Sequence, residues 1–94
     1  MKGYKEVFIK NLNLNNPKVS VSGIIVGKED GSLVLDDNFG VLQIEIESEF
    51  NIGDYVRVFG NLIEIEEKLI LKGDFVQDLN KINKELHRKV KGLL

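Results

Sequence analysis

From residue 18 to residue 76 the chain spells out five short segments in which apolar and polar residues alternate, separated by turns rich in glycine. From Asp78 onward the period lengthens to that of a helix. Alternation at period two is the mark of a strand with one buried face, and five such strands in succession specify an all-β unit. The pattern is carried by Val19-Ser20-Val21-Ser22-Gly23-Ile24-Ile25-Val26-Gly27, by Leu33-Val34-Leu35-Asp36-Asp37-Asn38-Phe39-Gly40 and by Gly53-Asp54-Tyr55-Val56-Arg57-Val58-Phe59-Gly60. This order predicts a small closed β-barrel capped by one C-terminal helix.

In the first barrel strand Val19 and Val21 face inward, and Gly23 is the expected site of a bulge, because a strand curving round a small barrel needs a point of low steric cost. Residues 27–31 read as the first hairpin loop. Leu33 and Leu35 face inward from the second strand, and Asp36-Asp37-Asn38-Phe39-Gly40 supplies turn chemistry. The third strand, residues 41–47, is expected to bury Leu42, Ile44 and Ile46 and to expose Gln43, Glu45 and Glu47. Residues 48–53 are too few for a helix and read as a loop. The fourth strand buries Val56 and Val58, which leaves Tyr55, Arg57 and Phe59 as an outward row. Residues 64–67 turn the chain into the fifth strand, residues 69–76, with a bend at Gly73.

Ahead of the barrel, residues 1–17 read as an arm. Its Val7-Phe8-Ile9, Leu12 and Leu14 suggest that it lies on the barrel or on a partner. Behind the barrel, residues 78–94 read as an amphipathic helix. Leu79, Ile82, Leu86, Val90 and Leu93 make a narrow apolar stripe, and Lys81, Lys84, Arg88, Lys89 and Lys91 fill the other faces. Asp78 suits the N-cap, Gly92 a stop, and the lysine-rich last turn the negative end of the helix dipole. A cap on the barrel's own end and a seam against a partner helix would bury the same stripe. The narrow, even spacing favours the seam. The expected division is therefore arm 1–17, barrel 18–77 and helix 78–94.

Ninety-four residues make one domain, and at 43 % hydrophobic and 30 % charged the chain has the composition of a folded globular protein. The chain has no cysteine, which removes disulfides and thiolate chemistry. With no secretory pattern at the start and no apolar run of membrane-spanning length, the expectation is an intracellular protein of cytoplasm or nucleoid with no membrane contact. An enzyme is not expected. His87 stands alone among charged residues on the helix, no nucleophile–base pair is visible, and the acid pairs Asp36-Asp37 and Glu66-Glu67 suit turns better than metal, so no cofactor is implied.

The net charge of −2 hides a partition. Residues 1–28 hold five lysines and one acid, residues 29–67 eleven acids and one arginine, and residues 68–94 seven basic residues and three acids. A basic arm and a basic C-terminal segment thus flank an acidic middle. Small barrels of this kind commonly bind oligonucleotides. Here the expected outward residues of the second and third strands are Ser32, Val34, Asp36, Gln43, Glu45 and Glu47, without an aromatic or a cation. Stacking and phosphate neutralisation both fail on such a surface. The candidate exceptions are Lys28, Phe39, Arg57, Lys68 and Lys72.

The run Val19-Ser-Val-Ser-Gly-Ile-Ile-Val, then Leu35-Asp-Asp-Asn-Phe-Gly40, then Val56-Arg-Val-Phe-Gly60, followed by the helix led by Asp78, resembles the replication protein A family. It looks closest to the middle or small OB-fold subunits and to related subunits of telomere-end complexes. The resemblance implies a five-stranded OB-fold barrel plus one amphipathic α-helix. It also implies a non-enzymatic subunit of a single-stranded-DNA-binding complex, of the kind that serves DNA replication and repair. In that family the helix after the fifth strand packs with matching helices of sister subunits. The resemblance therefore assigns Leu79, Ile82, Leu86, Val90 and Leu93 to a partner seam with sister OB-fold subunits or with itself. Tyr55 and Phe59 are a second candidate contact, because aromatic residues are enriched in interface cores. Single-stranded DNA would then be bound mainly through the complex. A stand-alone OB-fold protein that binds single-stranded DNA or RNA is the alternative.

Overall fold

The computed structural model describes residues 3–81. The arm contributes a two-residue strand β1 (Lys5–Glu6) and a 3-10 turn (Ile9–Asn11). The barrel strands are β2 (Lys18–Glu29), β3 (Ser32–Asp36), β4 (Val41–Glu45), β5 (Tyr55–Ile65) and β6 (Lys68–Asp78). Hydrogen bonding runs β2-β3-β4-β6-β5 and returns from β5 to β2, so the five strands close on themselves, with β1 parallel to the start of β2. The mostly-β barrel expected from alternation is thus present. At the end of the described residues Asn80 and Lys81 are helical, and the helix expected over residues 78–94 otherwise lies outside them. The stripe positions Ile82, Leu86, Val90 and Leu93 lie outside the described residues.

Closure depends on β2 serving two partners. Residues 18–24 of β2 pair with β5, and Ile24 to Glu29 pair with β3. The bulge that re-aims the strand sits at Val26, where the register skips between Ile25 and Gly27, and not at Gly23. Gly23 stands in regular pairing opposite Val56. It is required for a different reason, since a Cβ there would lie 2.5 Å from the carbonyl oxygen of Asp36. A second bulge, at Asp74, follows Gly73, because Phe59 pairs with Phe75 while Gly60 pairs with Gly73. The bend expected near Gly73 is therefore real.

Two more boundaries differ from the pattern. β2 continues to Glu29, so the first hairpin turns on Asp30 and Gly31 alone, the latter at φ 78°. The third barrel strand stops at Glu45, and one further bond in the same register, from Ile46 N–H to the carbonyl of Gly31, ends its pairing with β3. The β5–β6 hairpin is tighter than four residues. Glu66 and Glu67 make the turn with φ of 51° and 66°.

The core is the set of inward residues that alternation selects: Val19, Val21, Ile25, Leu33, Leu35, Leu42, Ile44, Val56, Val58 and Leu71. Val7, Ile9 and Leu12 of the arm pack against it from one side, and Ile46 and Phe50 from the segment joining β4 to β5. The arm is also tied by hydrogen bonds from Val7 N–H to Ser20 and from Ile9 N–H to the Asp37 carboxylate at 2.7 Å. Leu79 is buried, 4 % exposed, and its N–H donates to the carbonyl of Tyr55. Asp78, the last residue of β6, accepts from the N–H of Asn80 at 2.8 Å.

Candidate nucleic-acid interface

The outer surface of β3 and β4 is built by register. Ser32 pairs with Glu45, Val34 with Gln43 and Asp36 with Val41, and β6 continues the rows by setting Lys72 beside Glu45. Two clefts flank the central Val34–Gln43 pair. One runs past Val41 to Glu67 and Lys68, and the other runs past Ser32 to Lys28, Glu29 and Ile52. The two sides are therefore contiguous across the strands. The surface has an apolar centre in Val34 and Val41, acids in Asp36 and Glu45, and cations only at its margins.

Two of those cations are held by neutral oxygens, and among the described residues none of the three is paired to a carboxylate. Lys28 donates to the carbonyl of Phe50 at 2.6 Å, Lys68 donates to the Gln43 amide oxygen at 3.3 Å, and Lys72 stands in register with Glu45. They do not form one cluster. The face offers no ring to stack on, and its few cations stand at the margins beside the acids Glu29, Glu45 and Glu67.

Tyr55, Arg57 and Phe59 do point outward from β5, where they face Ile24, Ser22 and Ser20 of β2. Arg57 and Phe59 are held by neighbours from the arm, β2 and β6. The Arg57 guanidinium donates to Ser22 Oγ at 3.2 Å and to Gln77 Oε1 at 3.1 Å, and lies 3.5 Å from the Glu6 carboxylate. Phe59 stacks on Phe75 with centroids 4.4 Å apart, and Tyr4 meets both rings edge-on. The Tyr4 hydroxyl donates to Asp74 Oδ2 at 2.7 Å. That hydrogen bond, with a smaller contribution from desolvation and from the Asp74 charge, holds the phenol above its ordinary pKa. Lys18 lies over the outer side of Tyr4, 5.1 Å from its centroid.

Phe39 is the candidate whose surroundings change its meaning. It is 53 % exposed and meets Phe8 of the arm, also 53 % exposed, with centroids 4.9 Å apart and planes at 62°. Lys10 Nζ sits 4.4 Å from the Phe39 centroid. Alternation could not reveal this group, because Phe8 and Lys10 belong to the arm and reach Phe39 only after the arm folds back. Among the described residues no three of His, Cys, Asp or Glu converge as a metal set.

Solved structures share this architecture. The chain is similar to the telomere capping protein Ten1 from Saccharomyces pombe, with a TM-score of 0.69 and 15 % identity over 94 % of this chain and 93 % of that one. It is similar to a chain of the S. pombe Stn1-Ten1 complex, with a TM-score of 0.60 and 22 % identity over 82 % of this chain and 73 % of that one. It is also similar to the hypothetical protein ygiW from E. coli, with a TM-score of 0.60 and 17 % identity over 82 % of this chain and 90 % of that one. At these identities what is shared is the OB-like five-stranded barrel. No protein-family model matches the chain, and neither does any curated protein.

Proposed function

We propose that this chain is a non-enzymatic OB-fold subunit of a complex that binds single-stranded DNA at chromosome ends or replication forks. In this reading it contributes mainly to assembly and binds DNA weakly by itself. The observation that carries the reading is the chemistry of the β3–β4 face, where an OB-like barrel presents Ser32, Val34, Asp36, Gln43 and Glu45, without an aromatic ring, and has lysines only at its margins. A barrel so equipped suits a subunit better than a stand-alone reader of DNA. Likeness to Ten1 over nearly the whole of both chains, and to a chain of the Stn1-Ten1 complex, supports a hetero-oligomeric partnership with other OB-fold subunits. The proposed seam is Ile82, Leu86, Val90 and Leu93, without Leu79, which is already buried in this chain.

Two measurements test this. Fluorescence anisotropy of a labelled oligothymidine, titrated with the chain at low salt, is expected to show only weak association. Saturable submicromolar binding with a steep salt slope would overturn the assembly reading, because the barrel would then bind DNA by itself. Sedimentation of the wild-type chain beside Leu86→Asp addresses the seam. Loss of self- or partner-association with an unchanged far-UV spectrum is expected. Loss of the barrel's β signal instead would show that the stripe belongs to its own fold.

A further inference from the structure

Two phenylalanines on the surface of a small barrel, half in water and touching each other, need a reason. The turn formed by residues 36–40 does not require Phe39. Its geometry is set by the Asp36 carboxylate accepting from Asn38 N–H at 2.8 Å, by the Asp37 carboxylate accepting from Phe39 N–H at 2.9 Å, and by the left-handed Asn38 at φ 76°. Arm attachment does not require Phe8 either. Val7, Ile9 and Leu12 are the arm residues packed on the core, and Asp37 holds Ile9 by its second carboxylate oxygen. Both rings remain 53 % exposed after the arm has docked.

We infer that Phe8 and Phe39, with the Lys10 ammonium, form a stacking subsite for one unpaired base of a single-stranded nucleic acid. This rests on the reading above and deepens it, because it gives the weak DNA contact a place. The subsite lies where the arm crosses the β3–β4 turn, at the end of the apolar strip formed by Val34 and Val41, so a strand lying on that face would pass it. An exposed phenylalanine has no polar tip, and what it offers a ligand is a ring face and edge. Every base has a π-face to meet it, so recognition here is indifferent to base identity. The aspartates beside the rings keep the local charge negative. Lys10 is the cation that the structure sets on the ring, and it can swing from the Phe39 face to a single phosphate.

The signature that follows differs from ordinary backbone binding. A site that neutralises one phosphate gives a logarithmic salt slope of about −0.7 on single strands, far shallower than a groove lined with cations. Deoxythymidine and uridine oligomers of equal length should bind alike, since stacking does not read the sugar.

The chain contains no tryptophan, so Phe39→Trp introduces a unique fluorophore at the subsite. We expect oligothymidine to quench its emission saturably with the shallow slope. Phe8→Ala in that background should weaken binding at least about fivefold, the lower end expected for losing one stacked ring, while Phe8→Tyr should restore it. Far-UV circular dichroism of each variant shows whether the barrel is kept. If Phe8→Ala perturbs it, Lys10→Gln, which leaves both rings in place, must flatten the salt slope. Binding detected by anisotropy of the labelled strand without any change in the indole emission of the Phe39→Trp variant would overturn the subsite while leaving the weak-contact reading intact. A steep slope would overturn both. If Phe39→Ala lowers stability without altering anisotropy, the pair is only an arm anchor and the inference fails.

Discussion

Gly60 shows how tightly the barrel is wound. A Cβ at this position would lie 2.3 Å from the carbonyl oxygen of Lys72 and 2.9 Å from the Cα of Gly73, both backbone atoms that cannot step aside. Gly60→Ala is therefore expected to destabilise the fold by about 3 kcal/mol, the upper end of ordinary overpacking, as a lower midpoint in urea. Gly53 makes the control. It has nothing within 4 Å but a φ of 98°, so alanine there meets only backbone strain and should cost about 1 kcal/mol. Tyr4 offers a pH handle. Its pKa is raised in the folded protein, so the Tyr4–Asp74 contact is fully present below the unfolded value of about 10 and is lost as pH rises through the folded value. With Tyr55→Phe isolating the signal, ultraviolet titration should find the Tyr4 transition displaced upward, and Asp74→Ala should bring it back toward the ordinary range. Inward residues were legible one by one: Val19, Val21, Leu33, Leu35, Leu42, Ile44, Val56 and Val58 are all buried where alternation sets them. The aromatic neighbours were not. Tyr4, Phe59 and Phe75 converge only through the arm and the skipped register at Asp74, and no local spacing encodes either.

The strands differ in how firmly their connections are specified. The β5–β6 hairpin turns on two glutamates in the left-handed region, where asparagine and glycine are favoured and side chains carrying Cβ are strained. Replacing Glu66 by Asn and Glu67 by Gly should stabilise the protein by about 1 kcal/mol, read as a higher melting temperature, with the β-sheet spectrum unchanged. Sequence reading placed this turn correctly between residues 64 and 67 but could not see its tightness, because glutamates argue against a two-residue loop. Much the same happened in β2. Glycine is the common marker of a bulge, yet Gly23 answers a close approach of Asp36, and the skipped residue is Val26, a β-branched side chain 47 % exposed. A bulge chosen by barrel closure leaves its mark in pairing partners far along the chain, and only the assembled sheet reveals it.

For the molecule as a whole, the barrel followed from period and order, while the distribution of charge over its surface required the fold. Acids of the middle segment sit on both sides of the β3–β4 face, at Glu29 beside one cleft and Glu67 beside the other. The lysines that could offset them stand at the margins, Lys28 beside one cleft and Lys68 beside the other. Only Gln43, Ile44 and Glu45 join β4 to β6, through parallel pairing with Ile70, Leu71 and Lys72, whereas β5 and β6 run together along almost their entire length. The cylinder thus has a zip as well as walls. Thermal breathing should part this short seam before the longer ladders of the barrel, folding should fasten it after them, and whatever threads into the opened gap would meet the bare edges of two strands that the closed form keeps hidden.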